Sequence, residues 1–298
     1  MRIAYLIFAA SAVFLTSLSS KPKPSAKAAL KVLKGFCEFV PSGNAVVDGD
    51  TVSVQAFYMS KTEMTNLDYL EFLAHLKKNG EWEKYEIAKV DSSKWKTSFD
   101  NAYLDPMVST YHNHSAYHDY PVVNISKEGA EMYCEWLSWA YDSISGGELK
   151  LTFRIPTKAE YIRAARGDHH EYIYPWEGPY VRDTDGLFLA NFVGNGSECI
   201  TRNKETGKLE YIQAKYHQQS HYDGAVLTAQ AKSFGPNEFG FYHISGNVAE
   251  MIADSDHAIG GSWYSPGYDI RIESQKEFNE AHPTVGFRVV ATYLGPEK

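Results

Sequence analysis

The chain has 298 residues, 44% hydrophobic and 14% aromatic, which is enough to bury a core and too much for wholesale disorder. Acidic residues outnumber basic ones by 37 to 29, a net charge of −8, and this balance argues against a nucleic-acid binder. The 21 tyrosines suit a loop-rich extracellular fold, in which the ring packs while the hydroxyl serves irregular backbone.

The first twenty residues read as a secretory leader. Arg2 gives the positive start, residues 3–18 an uncharged and mostly apolar run, and Ser17, Ser19 and Ser20 the small residues of a cleavage site. A membrane span needs about twenty residues, and this run is shorter. No Cys directly follows it, so lipoprotein attachment at that point is excluded. The expectation is an exported, soluble mature protein in the periplasm or outer envelope, with no transmembrane segment once the leader is removed. Residues 21–35 carry five lysines, two prolines and no acid, the composition of a solvated linker with room for a short helix over 26–33.

From Phe36 the pattern is globular, and one domain is expected over residues 36–298. FCEFVPSG and TVSVQAFYM read as strands separated by a Gly, Asn and Asp-rich turn. Thr65 and Asp68 make a capping box ahead of a helix over 66–78, whose Leu67, Leu70, Leu73 and Ala74 share a face. Residues 79–120 look irregular, a long surface excursion ending in the histidine-rich run YHNHSAYHDY. PVVNIS reads as a short strand, Ser126 caps a helix over 127–141, LTFRIP is another strand, and Thr157 with Glu160 boxes a helix over 158–166. Beyond Gly167 the chain is rich in turns with only short β-like runs, so the fold class is mixed α/β with limited regular structure. Cys37, Cys134 and Cys199 are odd in number and lack CxxC spacing, which excludes a cysteine zinc site.

The second half contains, in order, RIPTKAEYIRAARG (154–167), YPWEG (174–178), ANF (190–192), FGPNEFGFYHISGNVAEM (234–251), GGSW (260–263) and GFR (286–288). With FVPSG, FYMSKTEMTNLDYLEFL and PVVNISKEGAEMYCEWL before them, this ordered set resembles the formylglycine-generating enzyme, or sulfatase-modifying factor, family over residues 36–293. The resemblance implies a single domain related to the C-type lectin fold. It also implies calcium held by oxygen ligands, the hard donors that suit that ion. One implied set is Asn191, the Phe192 carbonyl, Asp223 and the Ala225 carbonyl. The other is Glu250 with the backbone oxygens of Ser245, Gly246 and Val248. Trp176, Trp263 and Phe287 are expected as core residues.

Catalytic members of this family carry two cysteines soon after GGS, which bind copper(I) as thiolates and drive oxidation of a substrate cysteine. This chain reads GGSWYSPGYDIRIESQ, with Ser265 about where the first would stand and Asp269 or Ile270 near the second. Neither hydroxyl nor carboxylate replaces a soft thiolate on copper(I), so copper is not expected and no catalytic residue is assigned. A Ser265, His257, Asp269 triad lacks the elbow motif such chemistry uses, and the His112, His114, His118 run is read as exposed histidines. The expected function is a non-catalytic structural or interaction component of the cell envelope with a protein partner. VSVQAFYM and GNVAEM resemble Bacteroidetes gliding-motility and type 9 secretion paralogues. The alternatives are a divergent sulfatase-maturing or other metal-dependent oxidase, and a lectin-like binder using the 79–120 aromatics.

Overall fold

The computed structural model describes residues 24–99, 104–193, 200–202, 205–211 and 225–293. The leader, Cys199 and Asp223 lie outside them. Four strands form the first sheet in the order β1 (Cys37–Val40), β4 (Phe57–Ser60), β12 (Val290–Tyr293), β5 (Leu151–Arg154), every pair antiparallel. Their alternation is visible in β5, where Leu151 and Phe153 are buried while Thr152 faces out. Helices α1 (Ala26–Phe36), α2 (Asn66–Lys78) and α6 (Lys127–Ser145) share one apolar cluster with the residues of this sheet.

Helix α2 starts where the capping box places it: Thr65 accepts from the Asp68 backbone N–H, and Asp68 Oδ2 accepts from the Thr65 N–H at 3.2 Å. Helix α7 (Lys158–Arg166) repeats the device with Thr157 and Glu160. Between β2 (Gly43–Val47) and β3 (Asp50–Val54), Asp48 and Gly49 both have positive φ, 52° and 93°, the type I′ geometry that a two-residue Asp-Gly hairpin favours. This hairpin splits the second expected strand run into β3 and β4 and packs against α7.

The second half builds a smaller sheet in the order β10 (Gln275–Glu277), β9 (His257–Ile259), β8 (Ala249–Met251), β11 (Val285–Gly286). Its strands are two or three residues long, and its β11–β8 pairing is parallel. A hairpin of β6 (Ile200–Arg202) and β7 (Leu209–Tyr211) completes the described strands. Trp263 and Phe287 are core residues, as expected. Trp176 is only half-buried, stacked on Tyr174 with ring centres 5.1 Å apart and donating to the Tyr180 carbonyl.

Three expectations are corrected. The 79–120 stretch is no bare surface excursion, because α3 (Trp82–Ala88), α4 (Lys94–Thr97) and α5 (Asp105–Thr110) give it order and Trp95, Leu104 and Tyr111 are buried in a cluster with Trp263. Its apolar residues are aromatic and unevenly spaced, so they leave no helical period to read. PVVNIS forms no strand. Pro121 makes a single bridge to Thr65, and Asn124 then turns into positive φ, 61°, to leave the ladder. The basic segment is not a free linker: α1 runs from Ala26 to Phe36 and fully buries Ala29 and Leu33. Lys27, Lys31 and Lys34 occupy its outer face, so the expected short helix over 26–33 is extended to Phe36 and packs into the domain with its lysines in amphipathic register.

Because Leu33 is fully buried in the main cluster, Leu33→Ala will cost about 2–5 kcal/mol in denaturant unfolding, whereas exposed Lys31→Ala will change it by about 0.5 kcal/mol or less. Equal, small effects would show that α1 is not part of the folded domain.

Candidate functional site

The segments that resembled a family in sequence converge on the turn at residues 243–248. His243, Gly246 and Asn247 all have positive φ there. At Gly246 a side chain is impossible, since a Cβ would lie 2.5 Å from the Asn191 carbonyl oxygen. That oxygen instead accepts the Asn247 N–H at 2.8 Å.

Asn247 is buried and binds four segments together. Its Oδ1 accepts from Asn191 Nδ2 at 3.0 Å and from the Ala229 N–H at 2.7 Å. Its Nδ2 donates to Glu63 Oε1 at 2.9 Å, and its carbonyl accepts the Trp263 N–H at 2.8 Å. An asparagine suits this position because it tolerates the left-handed backbone and offers both a donor and an acceptor.

Beside this turn lies an ion pair with no solvent exposure on either partner. Arg288 Nε and Nη2 each sit 2.6 Å from a carboxylate oxygen of Glu250. Two further guanidinium hydrogens, on Nη1 and Nη2, reach the Ser60 carbonyl at 3.1 Å and the Tyr242 carbonyl at 2.9 Å. Burial raises the Glu250 carboxyl and the guanidinium opposes it; two contacts this short are those of an ionised, bidentate pair. Glu63 is the third charge-capable group and is also buried. Desolvation pushes it up to about 8, against the pull of Arg288, and its Oε2 has no hydrogen-bond partner among the described residues. One guanidinium thus neutralises Glu250, and Glu63 is protonated at neutral pH.

The residues expected at two calcium sets occupy adjoining places. Asn191 touches the 246–247 backbone, and its amide nitrogen is given to Leu227 O and Asn247 Oδ1, leaving its Oδ1 as the oxygen donor. Phe192 is buried with Ile270 and Ala190, and Ala225 stands at the edge of the described chain. The carboxylate expected to close this set, Asp223, lies outside the described residues. In the second set Ser245, Gly246 and Val248 form the turn itself, but both Glu250 oxygens are taken by Arg288. A carboxylate already neutralised by a guanidinium is a poor anchor for a divalent cation, which needs six to eight oxygen ligands. Among the described residues no three His, Cys, Asp or Glu side chains gather as a metal site. The Glu250 set is thus a poor fit for a divalent cation.

The segment after the paired glycines holds hydroxyls. Ser262 Oγ and Ser265 Oγ are 3.2 Å apart, Ser265 Oγ also accepts the Ser262 N–H at 3.1 Å, and the Ser265 carbonyl accepts the Val193 N–H. Asp269 is exposed and Ile270 fully buried. Gly261 is closed by this loop, since a Cβ there would meet the Asp269 carbonyl at 2.3 Å. Cys37 and Cys134 are free and buried in the main cluster, and burial pushes both thiols far above their usual range, so neither supplies a thiolate. No triad assembles: His257 is exposed and faces Ser255, while Ser265 pairs with Ser262.

The histidine run is corrected at its first member. His112 is buried, with Nδ1 3.0 Å from Asn66 Oδ1 and Nε2 3.3 Å from Asn124 Nδ2. Burial lowers it to about 3, so the ring is neutral, donates through Nδ1 and accepts through Nε2. His114 is exposed and accepts the Ala116 N–H, which separates it from His112 in role.

Mixed short sheets and capped helices around a turn-built centre define the class of fold, and comparison with known proteins agrees. The structure of PvdO from Pseudomonas aeruginosa superposes with a TM-score of 0.53 at 19% identity, covering 85% of this chain and 92% of that one. The family model of the sulfatase-modifying factor enzyme 1-like domain matches residues 16–293, and the chain belongs to that family. It is similar to the formylglycine-generating enzyme of Thermomonospora curvata, 29% identical over 46% of this chain and 34% of that protein. The mouse formylglycine-generating enzyme is 25% identical over 79% of this chain and 55% of its own length. An inactive C-alpha-formylglycine-generating enzyme 2 from Bos taurus is 26% identical over 49% of this chain and 39% of its own. The chain therefore spans between about a third and about a half of these curated relatives.

Glu63 and Arg288 were not singled out from sequence. Arg288 sits in the GFR motif, and its burial had no signature beyond that motif.

Two outcomes follow from the buried charges. Arg288→Met and Glu250→Gln each strand a buried partner and will destabilise the protein by about 3–5 kcal/mol in urea titration; a loss under about 1 kcal/mol would mean the pair is not sealed from water. The folded Glu63 carboxyl binds its proton more tightly than the unfolded one does. The Glu63 contribution to stability is thus full below about pH 4.5 and is lost as pH rises toward about 8, and Glu63→Gln will flatten that part of the pH profile.

Proposed function

We propose that this chain is an exported, non-catalytic member of its family that serves as a structural or interaction component of the cell envelope. The observation that carries this reading is the 261–271 loop, where paired serine hydroxyls, an exposed Asp269 and a buried Ile270 stand in place of soft ligands. Copper(I) calls for thiolates, and the two described cysteines are protonated and sealed in the helical cluster. Similarity to a protein named as an inactive member of the family supports the same direction. Among the described residues no helix is long and apolar enough to cross a membrane.

Calcium is part of the proposal as a structural ion at the Asn191 set. There the Asn191 oxygen, the Phe192 and Ala225 carbonyls and Asp223 would hold it and fix the loop on the Asn247 turn. The ion would supply only charge and geometry.

Purified protein given a cysteine-containing sulfatase peptide, oxygen and reductant will yield no aldehyde product by mass spectrometry. Turnover would overturn the non-catalytic reading. Calcium will raise the thermal midpoint relative to a chelator, and Asn191→Ala will remove that increment; an unchanged midpoint would remove calcium from the account. Cell fractionation will find the mature chain outside the cytoplasm, and recovery of an unprocessed cytoplasmic form would contradict export.

A further inference from the structure

We infer that the cleft between α2, α3 and α6 is a saccharide-binding site, shaped for one sugar ring of a glycan. The cleft encloses about 250 Å³, smaller than the roughly 300–1,000 Å³ of sites for drug-sized ligands and suited to a single ring. It lies in the helical half of the fold and rests on none of the observations about the 261–271 loop. Either reading can therefore fail while the other stands.

Its wall is aromatic. Trp139 is 49% exposed, an unusual place for so large a ring, and is propped by His75 with ring centres 4.7 Å apart. One turn earlier on α6, Trp136 is 8% exposed, and its indole N–H has no hydrogen-bond partner among the described residues. A half-exposed indole face is a platform for the apolar C–H face of a pyranose.

The rim is polar and carries both hydrogen-bonding roles. Glu81 and Glu135 offer carboxylate oxygens, and Lys84 offers an ammonium group 2.6 Å from Glu81 Oε2. Asn79 Nδ2 lies 2.7 Å from His75 Nε2, so the ring accepts there and carries its proton on Nδ1. Partial burial lowers His75, which keeps the ring uncharged at neutral pH. Two carboxylates against one ammonium leave a single net negative charge on the lining, which disfavours an anionic ligand. Aromatic walls with carboxylates also attract organic cations, but Lys84 already places a cation in the cleft and would repel a second. A neutral polyol, whose hydroxyls both donate and accept, matches this mixture of rim groups.

The test presents the full-length mature protein to an array of defined oligosaccharides, with Trp139→Ala, Trp139→Tyr and Glu135→Gln alongside. Titration with the methyl glycoside of any retained sugar follows. At least one sugar class should be retained. Trp139→Ala and Glu135→Gln should each weaken it about tenfold with an unchanged thermal midpoint, and Trp139→Tyr should keep most of the affinity. The proposal fails if no glycan is retained, if Trp139→Ala binds as well as the parent, or if tetramethylammonium displaces the sugar and binds in a Trp139-dependent way.

Discussion

Arg288 is the group on which the two halves of this molecule depend. It reaches the Ser60 carbonyl at the end of the first sheet, the Tyr242 carbonyl at the mouth of the central turn and both oxygens of Glu250 in the second sheet. The pair has no solvent exposure on either side, so its desolvation is offset only because nearly every polar atom is matched. Short strands of two or three residues carry little stability of their own, and a pinned centre is what lets so sparse a sheet persist.

The turn at 243–248 depends on that pin. Gly246 allows the backbone to meet Asn191, and Asn247 then ties Glu63, Asn191, Ala229 and Trp263 to one side chain. The cost is a second buried carboxyl, Glu63, which feels the charges of both Arg288 and Glu250. Its proton resolves the conflict, which makes the scaffold sensitive to pH at a residue that faces no solvent.

How much of this was legible depended on whether the cause was local. Thr65 with Asp68 and Thr157 with Glu160 announce their helices because a capping box lies within four residues. The Asp48-Gly49 hairpin was legible only as a turn-rich stretch, because its strands alternate weakly. Trp95 and His112, in a stretch that reads as surface, are buried. Their burial comes from partners far along the chain, Trp263 for the first and Asn66 and Asn124 on either side of the second. Of the candidate site, the asparagine and glycine positions could be read from their ordered motifs. The commitment of Glu250 to Arg288 could not, since nothing in sequence distinguishes a carboxylate offered to a cation from one claimed by a guanidinium.

What joins these observations is a family scaffold built around a 261–271 loop lined by serine hydroxyls. Ser262 and Ser265 satisfy each other, and the two described thiols, Cys37 and Cys134, are buried elsewhere. The most direct test is competition for copper(I) between the purified, reduced protein and a chromogenic chelator. The account predicts that the chelator keeps all of the metal. Stoichiometric withdrawal of copper(I) by the folded protein, lost when the 261–271 loop is altered, would contradict it.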